Sequence, residues 1–296
     1  MIARFRFLLP LLLTLAAIAP AYAQISVDLQ IKRRTYLLYE PMLATVAITN
    51  LSGRDLMLRD EGAQWFGFQI SASFAETLVA PRNPDYTNEP LELKAGETVK
   101  RVVNLNTLFN LSELGLYRIK AAIFSPELGK YYTSKQANVT ISEGRLVRQQ
   151  TVGVPDGVKN GGAMHTVSLL AYQGTERRYL YARVENRETG TVFCTYQLGH
   201  MIDGTNPDLQ FDRNNNAYIL HLVGPKTYRL TTIGVSGEFL GQSIYTTPKS
   251  RPYMRRLADG TLQIVGGHRQ AALNTADAAA VAPVKLSDRP AGLPID

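Results

Sequence analysis

Short runs of alternating apolar and polar residues, separated by turn residues, fill residues 24–142. Almost no stretch in this segment repeats its apolar residues with the 3.6-residue period of a helix. Alternation sends successive side chains to opposite faces of the backbone, as in a strand with one buried face. The predicted strands are residues 25–31, 42–49, 65–70, 98–105, 117–124 and 137–141. The pattern therefore predicts an all-β segment.

A glycine and a tyrosine at a strand entrance indicate which β fold this segment forms. Gly115 and Tyr117 are similar to the tyrosine corner of immunoglobulin-like sandwiches, in which the tyrosine hydroxyl bonds to upstream backbone. Over residues 24–142 the wider pattern resembles the β-sandwich domain that precedes deuterolysin-type metalloproteases. The residues that carry this resemblance are Asn50, Leu93, Gly96, Glu97, Leu111, Gly115 and Tyr117. It implies an immunoglobulin-like sandwich and says little about activity.

The protease of that family is not expected in this chain. A zinc protease of this kind places two ligands on one helical face with the motif His-Glu-x-x-His. None of the four histidines begins such a motif: His165, His200, His221 and His268. Their scattered positions also give no spacing for a three-ligand zinc site. We predict no metal, no cofactor and no recognised catalytic residue.

Residues 164–270 form a second predicted β region, with internal similarity. A strand, a polar turn and a second strand occupy residues 167–184 and recur over 208–223, the second strands being offset by 218 minus 179, or 39, residues. A third, shorter copy covers 253–265. Spacing near 40 residues resembles the blades of β-propellers. Because two and a half units cannot close a ring of roughly four to eight blades, three alternatives remain: an open array, closure by other chains, or a coincidence of β-meander sequence.

The N-terminus predicts export. Arg4 and Arg6 precede an apolar run over residues 7–18, and Ala21-Tyr22-Ala23 forms a small-x-small cleavage site. The apolar run contains Pro10 and is shorter than the roughly 20 residues of a spanning helix. We therefore expect a signal peptide at residues 1–23, cleavage near Ala23, a periplasmic or secreted product and no transmembrane anchor.

Glycine and proline mark the remaining boundaries. Residues 143–163 are rich in glycine without sustained periodicity, which is typical of a linker. Residues 271–296 contain eight alanines and three prolines, without an apolar stripe, which favours a disordered tail. The predicted chain is thus a signal peptide (1–23), a sandwich (24–142), a linker (143–163), a propeller-like β-repeat domain, open or incomplete (164–270), and a tail (271–296).

Charge and cysteine content argue against a nucleic-acid-binding protein and against a disulfide-stabilised one. The chain has 32 Lys plus Arg and 25 Asp plus Glu, a net charge of +7 spread along its length. Nucleic-acid binding would call for a denser basic stripe. A single cysteine, Cys194, cannot form an internal disulfide. Cys194 lies in a β-rich run, where a lone cysteine is expected to pack as a small apolar residue.

Asp212, Asn214 and Asn216 supply oxygen atoms at alternate positions, like the start of a calcium loop. Position six of that loop would be Ala217 in place of glycine, and position twelve Val223 in place of glutamate. Aspartate and asparagine also favour tight turns because they bond to their own backbone. We therefore interpret the motif as a turn and keep calcium binding as the alternative.

Two further motifs suggest enzymes. Asp203 and Asp208 flank a Gly- and Pro-containing segment and could form a carboxylate pair for glycoside chemistry, although a solvated loop is the simpler interpretation. Residues 234–238 lack the last glycine of the Gly-x-Ser-x-Gly elbow of serine hydrolases and favour a hairpin turn instead.

An aromatic cluster and three glycosylation patterns complete the candidates. Alternation places Trp65 opposite Phe66 and Phe68; one face could contact a ligand, but we expect both faces to be buried. The N-glycosylation patterns begin at Asn50, Asn110 and Asn138.

These observations favour a non-enzymatic binding or assembly module that contacts another envelope or secreted protein, because repeated β units present broad surfaces and an open sheet edge accepts added strands. The alternative is a protein that binds or acts on envelope glycans through Asp203, Asp208 or Asp212. A third possibility, a protease-inhibitor-like sandwich, depends on fold analogy alone.

Overall fold

The computed structural model of the chain describes residues 24–73, 78–84, 87–158, 161–247 and 250–270. Regular structure within these residues consists of strands, apart from the four-residue helix α1 (Leu105–Leu108), which confirms the all-β prediction. No helix in this part of the chain is long and apolar enough to cross a membrane. The predicted signal peptide and the predicted tail lie outside the described residues.

Residues 25–142 form two main sheets that share a core. The first sheet consists, in spatial order, of β1 (Ile25–Ile31), β3 (Leu43–Asn50) and β7 (Thr98–Asn104). The second consists, in spatial order, of β2 (Thr35–Leu37), β10 (Ala137–Ser142), β8 (Gly115–Ser125) and β5 (Phe66–Ala72), and β9 (Lys130–Thr133) also pairs with β8. A small ladder joins β4 (Leu56–Leu58) to β6 (Leu91–Leu93). All pairs are antiparallel except β2 with β10.

Alternation along the strands builds this sandwich. On β3, Ala44, Val46 and Ile48 are fully buried while their neighbours are half-buried. Ile70 and Ile119 of the second sheet belong to one of the two core clusters between the sheets, and Ile123 belongs to the other. All six predicted strands are confirmed, with ends within two residues of the prediction. The sequence did not reveal β2, β4, β6 and β9, because three or four residues are too few to display a period.

Two of the predicted pattern residues tie turns to strands. The Tyr117 hydroxyl donates to the carbonyl of Glu113 at 2.9 Å and accepts from the Glu113 N–H at 3.2 Å, which is the upstream bond expected of a tyrosine corner. The buried Asn50 amide donates to the carbonyls of Arg54 at 2.7 Å and Leu93 at 2.8 Å. Both residues therefore have roles in the fold.

Residues 145–269 form two antiparallel meanders and a hairpin. The first meander contains β11 (Arg145–Gly153), β12 (Met164–Gln173), β13 (Arg178–Asn186) and β14 (Val192–His200). The second contains β15 (Asp208–Phe211), β16 (Ala217–Gly224), β17 (Thr227–Ile233) and β18 (Phe239–Thr246), with the short β21 (His268–Arg269) paired to β18. The hairpin joins β19 (Tyr253–Arg256) to β20 (Leu262–Val265).

The structure shifts the predicted repeat by one strand. The sequence aligned residues 179–184, in β13, with residues 218–223, in β16; β13 is the third strand of its meander and β16 the second. By position, β11 and β12 correspond to β15 and β16. The extra strand, β11, lies inside residues 143–163, the predicted linker. Its sequence is mostly polar because its side chains are largely exposed, and apolar alternation therefore could not reveal it.

The meanders and the hairpin stack as layers beyond the sandwich. The largest core cluster lies between the two meanders and includes Leu169, Leu180 and Ile219. On the other side of the first meander, Leu170 and Tyr181 pack against Leu37 of the sandwich. On the far side of the second meander, a third cluster joins its strands to the hairpin. The spatial order is thus sandwich, first meander, second meander, hairpin.

A polar network joins the sandwich to the first meander. The Glu40 carboxylate, with 4% of its side chain exposed, accepts from Arg33 Nη2 at 2.5 Å and from the Leu37 N–H at 3.0 Å. Arg33 also donates to the Tyr181 hydroxyl at 3.3 Å. Arg183 of β13 donates to the Leu38 carbonyl of the sandwich at 2.8 Å. The junction is therefore held by buried, directional bonds in addition to apolar contact.

Candidate binding surface

The first strands of the three outer layers lie next to one another. Arg148 on β11 forms an ion pair of 3.7 Å with Asp208 on β15, and Asn215 Nδ2 donates to the Gly153 carbonyl at 2.8 Å. Gln210 on β15 donates to the Met254 carbonyl of β19 at 3.3 Å. Each of these three strands is an edge strand of its sheet. We call β11, β15 and β19 together the first-strand edge.

β11 dominates this edge because it is nine residues long, whereas β15 and β19 have four residues each. In the described part of the chain its ladder partner is β12, and no other strand pairs with the opposite side of its backbone. The register shifts between Leu146 and Arg148, which is a local bulge. Alternate N–H and C=O groups of β11 therefore point away from the sheet and can pair with an added strand.

The first-strand edge is mainly basic. Its exposed arginines are Arg145 and Arg148 on β11, Arg213 in the turn after β15, and Arg255 and Arg256 on β19. Arg148 and Asp208 are 46% and 34% exposed, so this ion pair is screened by water and weak. Arg256 is fixed by a hydrogen bond to the Phe211 carbonyl. Charged edges repel unselected strands, and a basic edge favours an acidic one.

The three carboxylates proposed for glycan chemistry bond to different partners. Asp203, 75% exposed, pairs with Arg178 at 2.8 Å, whereas Asp208 pairs with Arg148. Asp212 Oδ1 accepts from the Asn214 N–H at 2.9 Å. Each of the three aspartates therefore has a different partner.

The turn interpretation of residues 212–216 is confirmed. Asp212 Oδ1 also accepts from the Asn216 N–H at 2.9 Å, and Asp212 Oδ2 accepts from Asn216 Nδ2 at 3.0 Å. Asn215 has a positive φ of 59°, a conformation that asparagine tolerates in turns. This carboxylate is thus occupied by bonds within its own turn.

Cys194 is a structural residue, as predicted. It is 2% exposed and belongs to the core between the meanders. Burial raises the pKa of its thiol to about 12, so the nucleophilic thiolate is suppressed. Ser236 lies in the turn between β17 and β18, closed by the Gly234 N–H on the Glu238 carbonyl at 2.7 Å, which confirms the hairpin interpretation.

The aromatic cluster is buried, as expected, but its arrangement differs from the prediction. Trp65 and Phe66 are 0% and 3% exposed and belong to the same core cluster, with ring centroids 5.6 Å apart. Trp65 immediately precedes β5, so strand alternation does not govern it. Its indole N–H donates to the Glu89 carbonyl at 3.1 Å. Trp65 and Phe66 therefore offer no exposed aromatic face, whereas Phe68 is half-buried.

The glycosylation patterns differ in access. Asn50 is fully buried and its amide is bonded, whereas Asn138 is exposed and Asn110 half-buried.

The histidines also differ in their environments: His165 bonds to the Val235 carbonyl at 2.7 Å, and His268 is exposed on β21. Among the described residues, no group of three His, Cys, Asp or Glu side chains could hold a metal ion.

Comparison with known proteins gives no assignment: no model of a protein family matches the chain, and a search of curated proteins found no match.

Proposed function

We propose that this protein is a non-enzymatic binding module that captures an acidic, extended segment of another protein at the first-strand edge. The observation that carries the proposal is β11: a nine-residue terminal strand with five exposed residues and one unpaired backbone side in the described structure. Backbone hydrogen bonds from an added strand supply affinity, and side-chain pockets supply selectivity. Arg145 and Arg148 supply the charge that selects an acidic segment.

Two features support the architecture assumed in this proposal. Each meander has the strand order of a propeller blade, and the first strands of successive layers are adjacent, as they are around a propeller axis. We therefore propose an open, propeller-like arc. The Tyr117 bond and the passage of the chain from β1 in one sheet to β2 in the other support an immunoglobulin-like sandwich.

Export completes the proposal. The charged start, apolar run and Ala21-Tyr22-Ala23 site are typical of a cleaved signal peptide. The partner would then be a secreted or envelope protein of the same organism.

Affinity capture from an envelope extract of the native host tests the function. The bait is the full chain after Ala23, compared with Arg145→Glu/Arg148→Glu and with the matched control Arg118→Glu on the sandwich strand β8. We expect a stoichiometric partner that is retained by the wild type and by the control and lost from the double variant. A partner held equally by all three baits would contradict binding at β11, and empty capture by the wild type would contradict a protein-binding role.

A proline pair tests strand addition itself. Successive N–H groups of β11 point to opposite sides, so one of Gln149→Pro and Gln150→Pro removes an outward donor and the other breaks the ladder with β12. Thermal melts identify the variant that keeps its stability. We expect that stable variant to lose the captured partner; undiminished capture would rule out backbone pairing at this site.

A further inference from the structure

Four nitrogen-bearing side chains meet where the first meander contacts the second: Arg177, His200, His221 and Arg229, here called the His–Arg cluster. His221 on β16 and Arg229 on β17 are directly opposite in the ladder. Arg229 Nη1 donates across to the Leu198 carbonyl of β14 at 2.7 Å. Arg177 Nη1 lies 3.5 Å from Nε2 of His200 at the end of β14. The cluster therefore spans both meanders.

Several nitrogen atoms of the cluster are buried without a hydrogen-bond partner in the described structure. His221 is 2% exposed; its ring contacts the His200 backbone, and neither ring nitrogen makes a well-formed hydrogen bond. His200 Nδ1 and Arg229 Nε are in the same condition. Buried polar atoms are nearly always paired, so this group of nitrogens without well-formed hydrogen bonds has unused capacity to bind a ligand.

The charges around the two imidazoles are all positive. Burial and then Arg229 lower the pKa of His221 to about 3, against an opposing effect of the His200 backbone. Burial, then Arg177 and Arg229, lower the pKa of His200. No carboxylate contributes to either shift. A bound anion would supply the negative charge that balances the neighbouring guanidinium groups.

A glycine on β14 allows the Arg229 guanidinium group to pack closely against the backbone. Gly199 has φ +116°, and a Cβ at this position would lie 2.3 Å from Arg229 Nη1. A residue with a side chain would therefore displace Arg229 from the cluster. On the other side, the Tyr179 ring packs on His200 with centroids 4.8 Å apart, which fixes the imidazole.

We propose that the His–Arg cluster binds a small oxyanion, a phosphate or carboxylate group. Two guanidinium groups and two imidazoles provide donors, and oxyanion oxygens can accept several charge-assisted hydrogen bonds at once. Arg177 is exposed and lies at the entrance, whereas His221 is the most deeply buried member. This site goes beyond the proposed function, because it uses none of the residues of the first-strand edge.

Titration of the purified protein with inorganic phosphate, and separately with propionate, tests this site. NMR of the histidine rings is the readout. We expect saturable shifts of the His200 and His221 signals and an upward movement of their pKa values with at least one of the two probes. Saturation by phosphate alone assigns a phosphate site, and saturation by propionate alone a carboxylate site. Absence of saturable change with both anions would overturn the proposal.

Substitutions locate the anion without disturbing the Arg229 bond to Leu198. Arg177→Gln and His200→Gln should each weaken anion binding about tenfold or more, whereas Arg187→Gln, on an exposed turn of the same meander, should leave it unchanged. Equal affinity in all three variants would overturn the assignment to this cluster. The wild-type titration decides the question independently if His200→Gln fails to fold.

Discussion

Glu40 offers the sharpest test of how the sandwich and the first meander are joined. Its carboxylate pairs with Arg33 and accepts the Leu37 N–H. Glu40→Gln keeps the shape and the acceptor but removes the charge opposite the Arg33 guanidinium. Breaking a fully buried ion pair costs about 3–5 kcal/mol. Because the Arg33 side chain is 32% exposed, water solvates part of its charge. Burial also raises the pKa of Glu40 in spite of Arg33, so the desolvation of the carboxylate offsets part of the attraction. We therefore expect a loss of about 2 kcal/mol in the free energy of unfolding.

Glu40→Ala should cost more than Glu40→Gln, because it also leaves the Leu37 N–H unpaired. A buried donor without an acceptor adds about 1–3 kcal/mol, giving a total of about 3–5 kcal/mol.

Urea unfolding followed by tryptophan fluorescence measures both variants. Glu61→Gln is the matched control, because Glu61 pairs with Arg59 at 2.9 Å with both side chains 58% exposed; it should change stability by less than about 0.5 kcal/mol. The reasoning is refuted if Glu40→Gln is as harmless as the control, or if Glu40→Ala costs no more than Glu40→Gln.

The other predictions concern the meanders. In phosphate- and carboxylate-free buffer, the free energy of unfolding should fall by roughly 2–4 kcal/mol as the pH drops from 7 towards 4, because the buried His221, with its pKa lowered to about 3, takes up its proton only on unfolding. Urea titrations at several pH values should show a flatter pH dependence for His221→Gln than for the wild type. An unchanged pH dependence would contradict the assignment to His221. Cys194 should resist iodoacetamide at pH 8 until the protein is unfolded, as mass spectrometry would show; rapid labelling of the folded protein would disprove its burial. Gly237→Ala should cost about 2 kcal/mol more in thermal unfolding than Gly204→Ala: both glycines have positive φ, but a Cβ at Gly237 meets Phe193 Cβ at 2.9 Å and one at Gly204 meets nothing within 4 Å. Equal losses would refute the packing argument.

Alternation predicted the strands that have one buried and one solvated face. Residues 25–31, for example, match β1 at both ends. β11 was missed for the opposite reason: its residues Arg145 to Gln150 are mostly exposed, so the sequence has the polarity of a linker. The strand forms because it pairs with β12. Paired residues such as Gln149 and Ser168 are nineteen positions apart, so no local sequence pattern predicts this pairing.

The candidate sites depend on contacts between distant residues. Asp208 was singled out from the sequence, but its arginine partner lies sixty positions earlier, at Arg148. His200 and His221 were dismissed as scattered because their spacing fits no metal motif. The ladder of β16 with β17 places His221 opposite Arg229, and the packing of the two meanders brings His200 near the same guanidinium group. The polar turn at Asp212 could be interpreted from the sequence because its bonds are local.

Amide hydrogen exchange along β11 tests the central claim most directly. In the free protein, alternate amides between Arg145 and Gly153 should exchange rapidly while the intervening ones, bonded to β12, are protected. In the complex recovered by envelope capture, the rapidly exchanging set should become protected as the added strand bonds to it. Uniform protection of β11 in the free protein, or an exchange pattern unchanged in the complex, would contradict capture by strand addition at this edge.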